Sequence, residues 1–471
     1  MSDFINPISS FKGFGSNLIG SVKSALNVNS ILKNALHQAV GLNTPKEPGT
    51  DFRNGDIKIE SISLISEDGN RVYDLLSQVV NINVYESILS PIIFANISVN
   101  DGIGLESIFP LNGHELIVFR FGTPGTKTYQ YTFRVMGRPV GVQHSDNQKY
   151  KTYEIRLCSL EAFINASTGF IESMSYEDNI SNVITRILKD YLKTTKNLRI
   201  DKTKGIEKNT ITLVHPFQAV NHLRHIARSD KYQSHLWVFY ENNRDGYVFT
   251  TVERLMENGA KLINQDLSDK RFFFDTLRND AFDMFKYRNI IAYNKITGSD
   301  PGAVIARGGL AGQAVGFDLY TGKRSTILYK DEVSDAKTVK SDTGGTNINP
   351  ASFIANYGSV ATDRKFMILN SAYSDQQDLL VKAVNNQAYI TKLTQNITQI
   401  EIYGDFEIAV GDVIELNLPI TTPFTDKEGK LHDHDKGNYL VAAVRHMILN
   451  SDRPQHVMSM ELLKVGYPGA K

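Results

Sequence analysis

One β pattern runs through this chain twice, once in each half, and it constrains the fold more than any other feature. In the first half, Gly113-His-Glu-Leu-Ile-Val-Phe-Arg-Phe121 leads to Thr132-Phe-Arg-Val-Met-Gly-Arg-Pro-Val-Gly-Val-Gln-His144. A polar turn and then Lys151-Thr-Tyr-Glu-Ile-Arg-Leu-Cys-Ser-Leu160 follow. Near the other end, Gly411-Asp-Val-Ile-Glu-Leu-Asn-Leu418 leads to Asn438-Tyr-Leu-Val-Ala-Ala-Val-Arg-His446. The turn Leu449-Asn-Ser-Asp-Arg-Pro454 and the strand Val457-Met-Ser-Met-Glu-Leu-Leu463 follow. Both halves read as a glycine-led strand, a loop, a strand closing on histidine, a turn and a final strand. The match is one of pattern, not identity. Two related sheets in one chain point to a subunit that offers two equivalent positions to a ring.

The period stays near two from Ile57 to Leu160, through Val79-Val-Asn-Ile-Asn-Val-Tyr85 and Ile92-Ile-Phe-Ala-Asn-Ile-Ser-Val99. Glu67-Asp-Gly-Asn70, Asn100-Asp-Gly102 and Gly122-Thr-Pro-Gly125 supply turns. Successive strands separated by turns predict an antiparallel sandwich or barrel.

The grammar changes at Ser175, which with Asp178 reads as a capping box. Ile180, Val183, Ile184, Ile187, Leu188 and Tyr191 then form one helical stripe. A basic stretch from Lys193 to Lys208 reads as a solvated surface rather than a nucleic-acid contact. A second helix starts at Pro216, and His235–Glu241 with Tyr247–Val252 reads as a hairpin. Later, Ser374 with Gln377 reads as another capping box before a helix carrying Leu380, Ala383 and Val384. The expected divisions are a helical arm at 1–50, a first β unit at 51–165 and a small α+β domain at 166–285. A second β unit follows at 286–340 and 395–471, interrupted by a partly helical insertion at 341–394. Within the arm, Phe11, Phe14, Leu18, Val22, Ile31, Leu32 and Leu36 recur at helical spacing. Their apolar faces fold back on the body or dock on a neighbour. Both readings stay open.

Composition bounds the chemistry. The chain has 471 residues, 51 basic and 51 acidic, so no global attraction to nucleic acid or anionic membrane is expected. Its single cysteine, Cys158, excludes an intramolecular disulfide and a thiolate zinc site, and its place in an alternating strand marks it as a small packed side chain. No stretch reaches the ~20 apolar residues of a membrane helix. Met1-Ser-Asp-Phe-Ile-Asn-Pro7 lacks the basic start and apolar run of a signal peptide. The protein is therefore expected to stay in the cytoplasm or to leave it by lysis or inside a larger particle.

The search for reactive motifs yields no catalytic, cofactor-binding or metal-ligating set, and the chain is expected not to be an enzyme. Gly316-Phe-Asp-Leu-Tyr-Thr-Gly322-Lys323-Arg324 has one residue too many for a phosphate loop, and Arg324 stands where magnesium needs a hydroxyl. Gly308-Gly-Leu-Ala-Gly312 lacks the dinucleotide fingerprint. His432-Asp-His-Asp435 offers imidazole and carboxylate in a polar loop, where a solvated loop is the default reading over a metal site. His215, His222, His225 and His235 lack the metalloprotease glutamate. His144 and His446, placed alike in the two halves, suggest a shared structural role.

Four stretches, taken in order, resemble the baseplate hub proteins of contractile-tailed bacteriophages and the hub regions of type VI secretion spikes and tailocins. They are Val84–Asp101 with Gly113–Phe121, Pro216–Ser229 with Leu236–Glu241 and Gly246–Thr251, Asp283–Tyr293, and Gly404–Leu416 with Gly437–His446. The resemblance spans about residues 57–465; the arm has no counterpart in it. It implies an α+β, β-dominated chain with two tube-like antiparallel β-barrels, an intervening small α+β domain and no cofactor. It also implies a homotrimer whose six barrels form a pseudo-sixfold ring in a virion baseplate, assembled in the host bacterial cytoplasm. The ring would join a threefold central spike to a sixfold tail tube or tube-initiator protein and leave a channel for DNA without binding it specifically. Baseplate wedge or neighbouring hub proteins are the expected contacts of residues 1–50. Two other classes stand beside this one, a tail-tip cell-wall hydrolase with paired carboxylates in a cleft and a carbohydrate-binding or adhesive β protein with a surface aromatic platform.

Overall fold

The computed structural model describes residues 55–122, 127–144, 150–167, 169–232, 236–265, 270–273, 289–296, 311–330, 363–369, 377–394, 397–417 and 437–464. The arm at 1–50, His235, the loop holding His432 and Asp435, and Ser374 lie outside them.

The first β unit contains β1 (Lys58–Ile65), β2 (Val72–Asp74), β3 (Val79–Ser87), β4 (Phe94–Asp101) and the short helix α1 (Leu105–Ile108). It continues with β5 (Leu116–Gly122), β6 (Thr128–Val135), β7 (Val140–His144), β8 (Lys151–Ser159) and α2 (Leu160–Ala166). The middle region contains β9 (Ile171–Asp178), α3 (Ile180–Arg186) with a π-helical continuation (Ile187–Tyr191), β10 (Leu198–Ile200) and β11 (Glu207–Val214). Next come α4 (Pro216–Ile226), β12 (Trp237–Asn242), β13 (Gly246–Thr251) and α5 (Val252–Asn264). The last part contains β14 (Arg271–Phe273), β15 (Ile290–Lys295), β16 (Ala311–Asp318), β17 (Arg324–Lys330) and β18 (Asp363–Leu369). It ends with α6 (Gln377–Leu393), β19 (Ile397–Tyr403), β20 (Val413–Asn417), β21 (Gly437–Leu449) and β22 (Gln455–Leu463). The fold is β-dominated α+β, as the sequence predicts.

Among the described residues fourteen strands form one sheet, ordered β15-β19-β22-β21-β3-β4-β8-β6-β5-β1-β2, with β7 on β8 and β14-β20 on β21. All its pairs are antiparallel except β14 with β20. The expected repeat is present in the strand connections. In the first unit β3, β4, β8, β6 and β5 are neighbours in that order, and in the second β15, β19, β22, β21 and β20 are. The chain visits both sets in the same sequence. The long β21 does the work of two first-unit strands: Gly437–Leu440 pair with β20 and Leu440–Leu449 with β22. In the first unit β6 pairs with β5, and β7 continues the contact with β8. Even the irregularities recur. A bulge between Val79 and Asn81 faces Ser98 and Val99, and one between Ile290 and Ala292 faces Glu401 and Ile402. Gly113 and Gly411, just ahead of β5 and β20, share a left-handed φ of 93° and 91°. Glycine is the residue that takes this conformation without strain.

Register corrects one expectation. Ile155 of β8 faces Ile97, and Met460 of β22 faces Ile400. Counting from these anchors, His144, opposite Lys151, occupies the position of Ile448, opposite His456. His144 and His446 are therefore not equivalent, and β21 continues past His446 to Leu449.

Each unit has its own core. Ile62, Leu64, Ile97, Ile117, Phe119 and Ile155 are fully buried in the first, and Ile400, Ile402, Ile414, Leu440, Met458 and Leu462 in the second. Each such side chain contributes about 2 kcal/mol of burial. In the middle region α3 and α4 pack on the β10-β13-β12 sheet. Every residue of β12 and β13 is buried, including the polar Glu241, Asn242, Thr250 and Thr251. The predicted capping box at Ser175 is absent. Ser175 lies in β9, where its hydroxyl meets that of Thr210, and α3 starts after Asn179. Strands β16, β17 and β18 form a separate small sheet against which α6 packs.

Candidate functional site

Strand alternation gives the large sheet one polar face that crosses both units. Along β3 the residues Ile82, Val84 and Glu86 are buried, while Asn81, Asn83, Tyr85 and Ser87 lie on the opposite face. The same division places Asn96, Ser98 and Asn100 of β4, Glu154 and Arg156 of β8, and Arg445 and Met447 of β21 on that face. Glu461 of β22 and Gln399 and Glu401 of β19 complete it.

Side chains on this face are linked across strands. Gln399 Nε2 donates to Ser459 Oγ at 3.0 Å. Arg445 donates to Asn83 Oδ1 from Nε at 3.1 Å and from Nη2 at 2.9 Å, with its guanidinium 5.6 Å above the Tyr85 ring. Ser98 Oγ donates to Asn81 Oδ1 at 3.0 Å, Asn96 Nδ2 donates to Glu154, and Thr152 Oγ1 donates to Asn100 Oδ1 at 2.8 Å. The face is rich in amides and carries both signs of charge, through Glu154, Glu401 and Glu461 against Arg156 and Arg445. Part burial raises the Glu461 carboxyl above its usual range. A depression of about 100 Å³ lined by Gln399, Glu401, Arg445 and Glu461 is too small for a substrate cleft.

The two units meet where β21 pairs antiparallel with β3, from Ala443 opposite Ser87 to Leu449 opposite Asn81. The loop after β19 reinforces this junction. Phe406 stacks on Phe121 of the first core at 6.0 Å, on His456 at 4.4 Å and on His446 at 5.4 Å. His446 Nδ1 and His456 Nε2 are 3.0 Å apart. Burial pushes His446 down to about 4, and burial together with His446 holds His456 well below the ordinary histidine value, so the pair is neutral at physiological pH.

The middle region clamps both units. The β12–β13 turn sets Asn243 N–H on Glu86 of β3 at 3.2 Å and Asn242 Nδ2 on the Val410 carbonyl at 3.2 Å. Arg244 binds both carboxylate oxygens of Asp412 at 2.8 and 2.9 Å, and Lys270 adds a third contact at 2.5 Å. Burial alone would raise Asp412, but Arg244 and Lys270 hold it below its usual value. Burial pushes Glu86 up to about 8 against the opposing Asn243 hydrogen bond, so it is mostly protonated at neutral pH. Nearby, Lys196 Nζ bridges Glu161 and Glu241 at 2.5 Å each, and Ser159 Oγ donates to Glu241 at 2.6 Å.

The residues singled out from sequence fall into ordinary roles. Cys158 is buried, which pushes its thiol up to about 12 and leaves it unreactive at neutral pH. Gly316–Arg324 forms the β16–β17 hairpin, without the strand-to-helix turn of a phosphate loop. His222 and His225 are exposed on α4, and His215 packs edge-on against Phe170. The basic stretch is largely paired with carboxylates: Lys196 as above, Lys204 with Asp378 at 2.9 Å, Lys208 with Glu177 at 2.8 Å and Arg199 with Asp245 at 3.7 Å. Among the described residues no group of three or more His, Cys, Asp or Glu is placed to hold a metal. The sequence reading missed an apolar patch on the small sheet, where Phe317, Tyr320, Phe366 and Ile368 are 39%, 71%, 68% and 65% exposed.

No family model and no curated protein matches this sequence. Among solved structures the chain is similar to a tail protein from Neisseria meningitidis MC58, with 10% identity, 86% of this chain and 96% of that one covered, and a TM-score of 0.49. It is similar to the 43 kDa tail protein of prophage MuSo2 from Shewanella oneidensis, with 8% identity, 86% and 98% covered, and a TM-score of 0.46. It is also similar to the E. coli c3393 protein, a component of the type VI secretion system described as similar to T4 bacteriophage tail proteins gp27 and gp5. There the identity is 12%, the coverage 83% and 76%, and the TM-score 0.39. The structures that this chain resembles are thus phage tail and type VI secretion proteins. Identities this low transfer no residue roles.

Proposed function

We propose that this chain is a structural subunit of a contractile phage tail baseplate hub, in which three copies close a ring of six similar β units around a channel. The observation that carries the reading is the recurrence of one strand order in two units joined edge to edge by β21 and β3, so that a single polar face continues from one unit into the next. Each unit is read as one tube-like barrel. A threefold object built this way presents six near-equal positions, which suits a joint between a threefold spike and a sixfold tube. The amide-rich face of mixed charge becomes the channel lining, able to stay hydrated without gripping a polyanion that must slide past.

The spike and the tail tube or its initiator take the two ends of the ring. The arm at 1–50 reaches a wedge or neighbouring hub protein. The protein acts in the virion after assembly in the host bacterial cytoplasm, and the hub itself performs no chemistry. A mass measurement on the purified native protein tests the reading. Three chains per particle are expected, and a stable monomer at micromolar concentration would contradict it. A carbohydrate-binding reading draws on the exposed Phe317, Tyr320 and Phe366. Glycan binding by a protein that forms no ring would favour that alternative.

A further inference from the structure

The small sheet is apolar on both faces, and among the described residues only one of them is covered. Facing partners fix the sides. Arg324, Phe317 and Ile368 form one row across β17, β16 and β18, and Thr326, Val315 and Phe366 form the next. Ala314, Met367 and Leu369 lie on the other side, against Leu380 and Val384 of α6. A sheet with one wet face alternates apolar with polar residues. Phe366-Met-Ile-Leu369 does not, and Phe366 and Ile368 stand in solvent. The turn from β16 to β17 extends the patch. Leu319 and Tyr320 stand in it, 63% and 71% exposed. Asp318 holds the turn in shape, accepting from Tyr320 N–H at 3.0 Å and from Thr321 Oγ1 at 2.5 Å. A fixed backbone therefore presents the two apolar side chains. Lys323 and Arg324 follow directly, both exposed.

We infer that this patch docks on an anionic lipid surface. The open sheet face and the turn meet the acyl boundary, and Lys323 and Arg324 lie at the level of the phosphates. The inference goes beyond the hub reading and does not depend on it. The content of the patch selects lipid. Its apolar residues stand out on a sheet face and a turn, which suits a deformable apolar phase rather than a fitted side chain. The Tyr320 ring has an apolar body and a polar tip, the form found where a bilayer meets water. The two cations complement lipid phosphates, and their long stems let the charges reach them while the rings stay apolar. A sugar would need polar groups between the rings. Here Val315 lies beside Phe366, and Ile368 beside Phe317. Basic and acidic residues balance over the whole chain, so the attraction to lipid is local to this patch.

Flotation of the full-length protein with lipid vesicles tests this. Mixed phosphatidylcholine–phosphatidylglycerol vesicles are expected to carry the wild type upward, and pure phosphatidylcholine vesicles to carry about tenfold less. F366S/Y320S is expected to lose binding to both. K323E/R324E is expected to lose the preference for the anionic vesicles. All four side chains are exposed, so the unfolding midpoints of these variants should match the wild type. A wild type that floats with neither vesicle overturns the inference, as does flotation that F366S/Y320S leaves unchanged. Association with a second copy or another protein that needs Phe366 and Tyr320, without flotation, assigns the patch to a protein partner and overturns it as well. None of these results bears on the ring, which the mass of the particle tests.

Discussion

Replacing Gly404 by alanine is expected to cost about 3 kcal/mol of stability, an effect at the upper end for an added methyl group. A Cβ at this position would lie 1.9 Å from Nδ1 and 2.0 Å from Cγ of His456. The ring cannot retreat easily, because His456 is 2% exposed and is held between Phe406 and His446. The backbone is held as well, since Gly404 N–H donates to the His456 carbonyl at 2.9 Å. Displacing this ring also moves Phe406 off Phe121, so the loss falls on the contact between the two units. Thermal or denaturant unfolding of G404A is expected to show a lower midpoint. G102A is the control, because nothing lies within 4 Å of a Cβ there, and its change should stay within about 0.5 kcal/mol. Equal midpoints for the two variants would contradict the packing described.

Lys196→Met is expected to destabilise the clamp by about 3 kcal/mol at pH 8, because it leaves two buried carboxylates without their cation. Glu161 and Glu241 keep only 6% and 2% of their side-chain surface, while Lys196 keeps 30%, so the cost falls on the glutamates. Burial works against the Lys196 charge, but Glu241 and Glu161 overcome it and hold its pKa above the ordinary lysine value. Burial raises Glu241, with Lys196 opposing, so the folded state keeps the Glu241 proton to higher pH than the unfolded chain does. That contribution to stability is complete below the ordinary glutamate value of about 4.5 and is lost as pH rises through the raised folded value. Removing the lysine raises Glu241 further, so the penalty of K196M should shrink as pH falls toward about 4.5. The double variant K196M/E241Q should recover part of the loss. A penalty that is the same at pH 5 and pH 8 would mean that the charges are not the cause.

Much of the fold was legible because period-two alternation states which face of a strand is buried. The residues Ile82, Val84, Ile97 and Ile400, set between Asn83, Asn96 and Gln399, announce the polar face, and the repeat announces its second half. Register was not legible. A bulge and the Met136–Pro139 break shift β6 and β7 relative to the unbroken β21, so aligning His144 with His446 misses by two positions. Helix α5 was missed because Gly259 interrupts its stripe. That glycine is there for packing, since a Cβ would sit 2.3 Å from the Val413 side chain of β20. Strand β11 escaped because its exposed polar run, Glu207-Lys-Asn-Thr-Ile-Thr-Leu-Val214, is stabilised by pairing with β9 rather than by an apolar face. The clamp had no local signal at all: Glu86, Glu161, Lys196, Glu241 and Asp412 come together only through the tertiary fold.

The central claim is that the duplicated unit makes a threefold particle with six similar positions. Rotational analysis of end-on images of the purified assembly tests it most directly. The account predicts an annulus with true threefold symmetry, a strong sixfold component at the radius of the inner sheet and an open centre. A compact particle without a channel, or an annulus whose inner sheet carries no sixfold component, would contradict it.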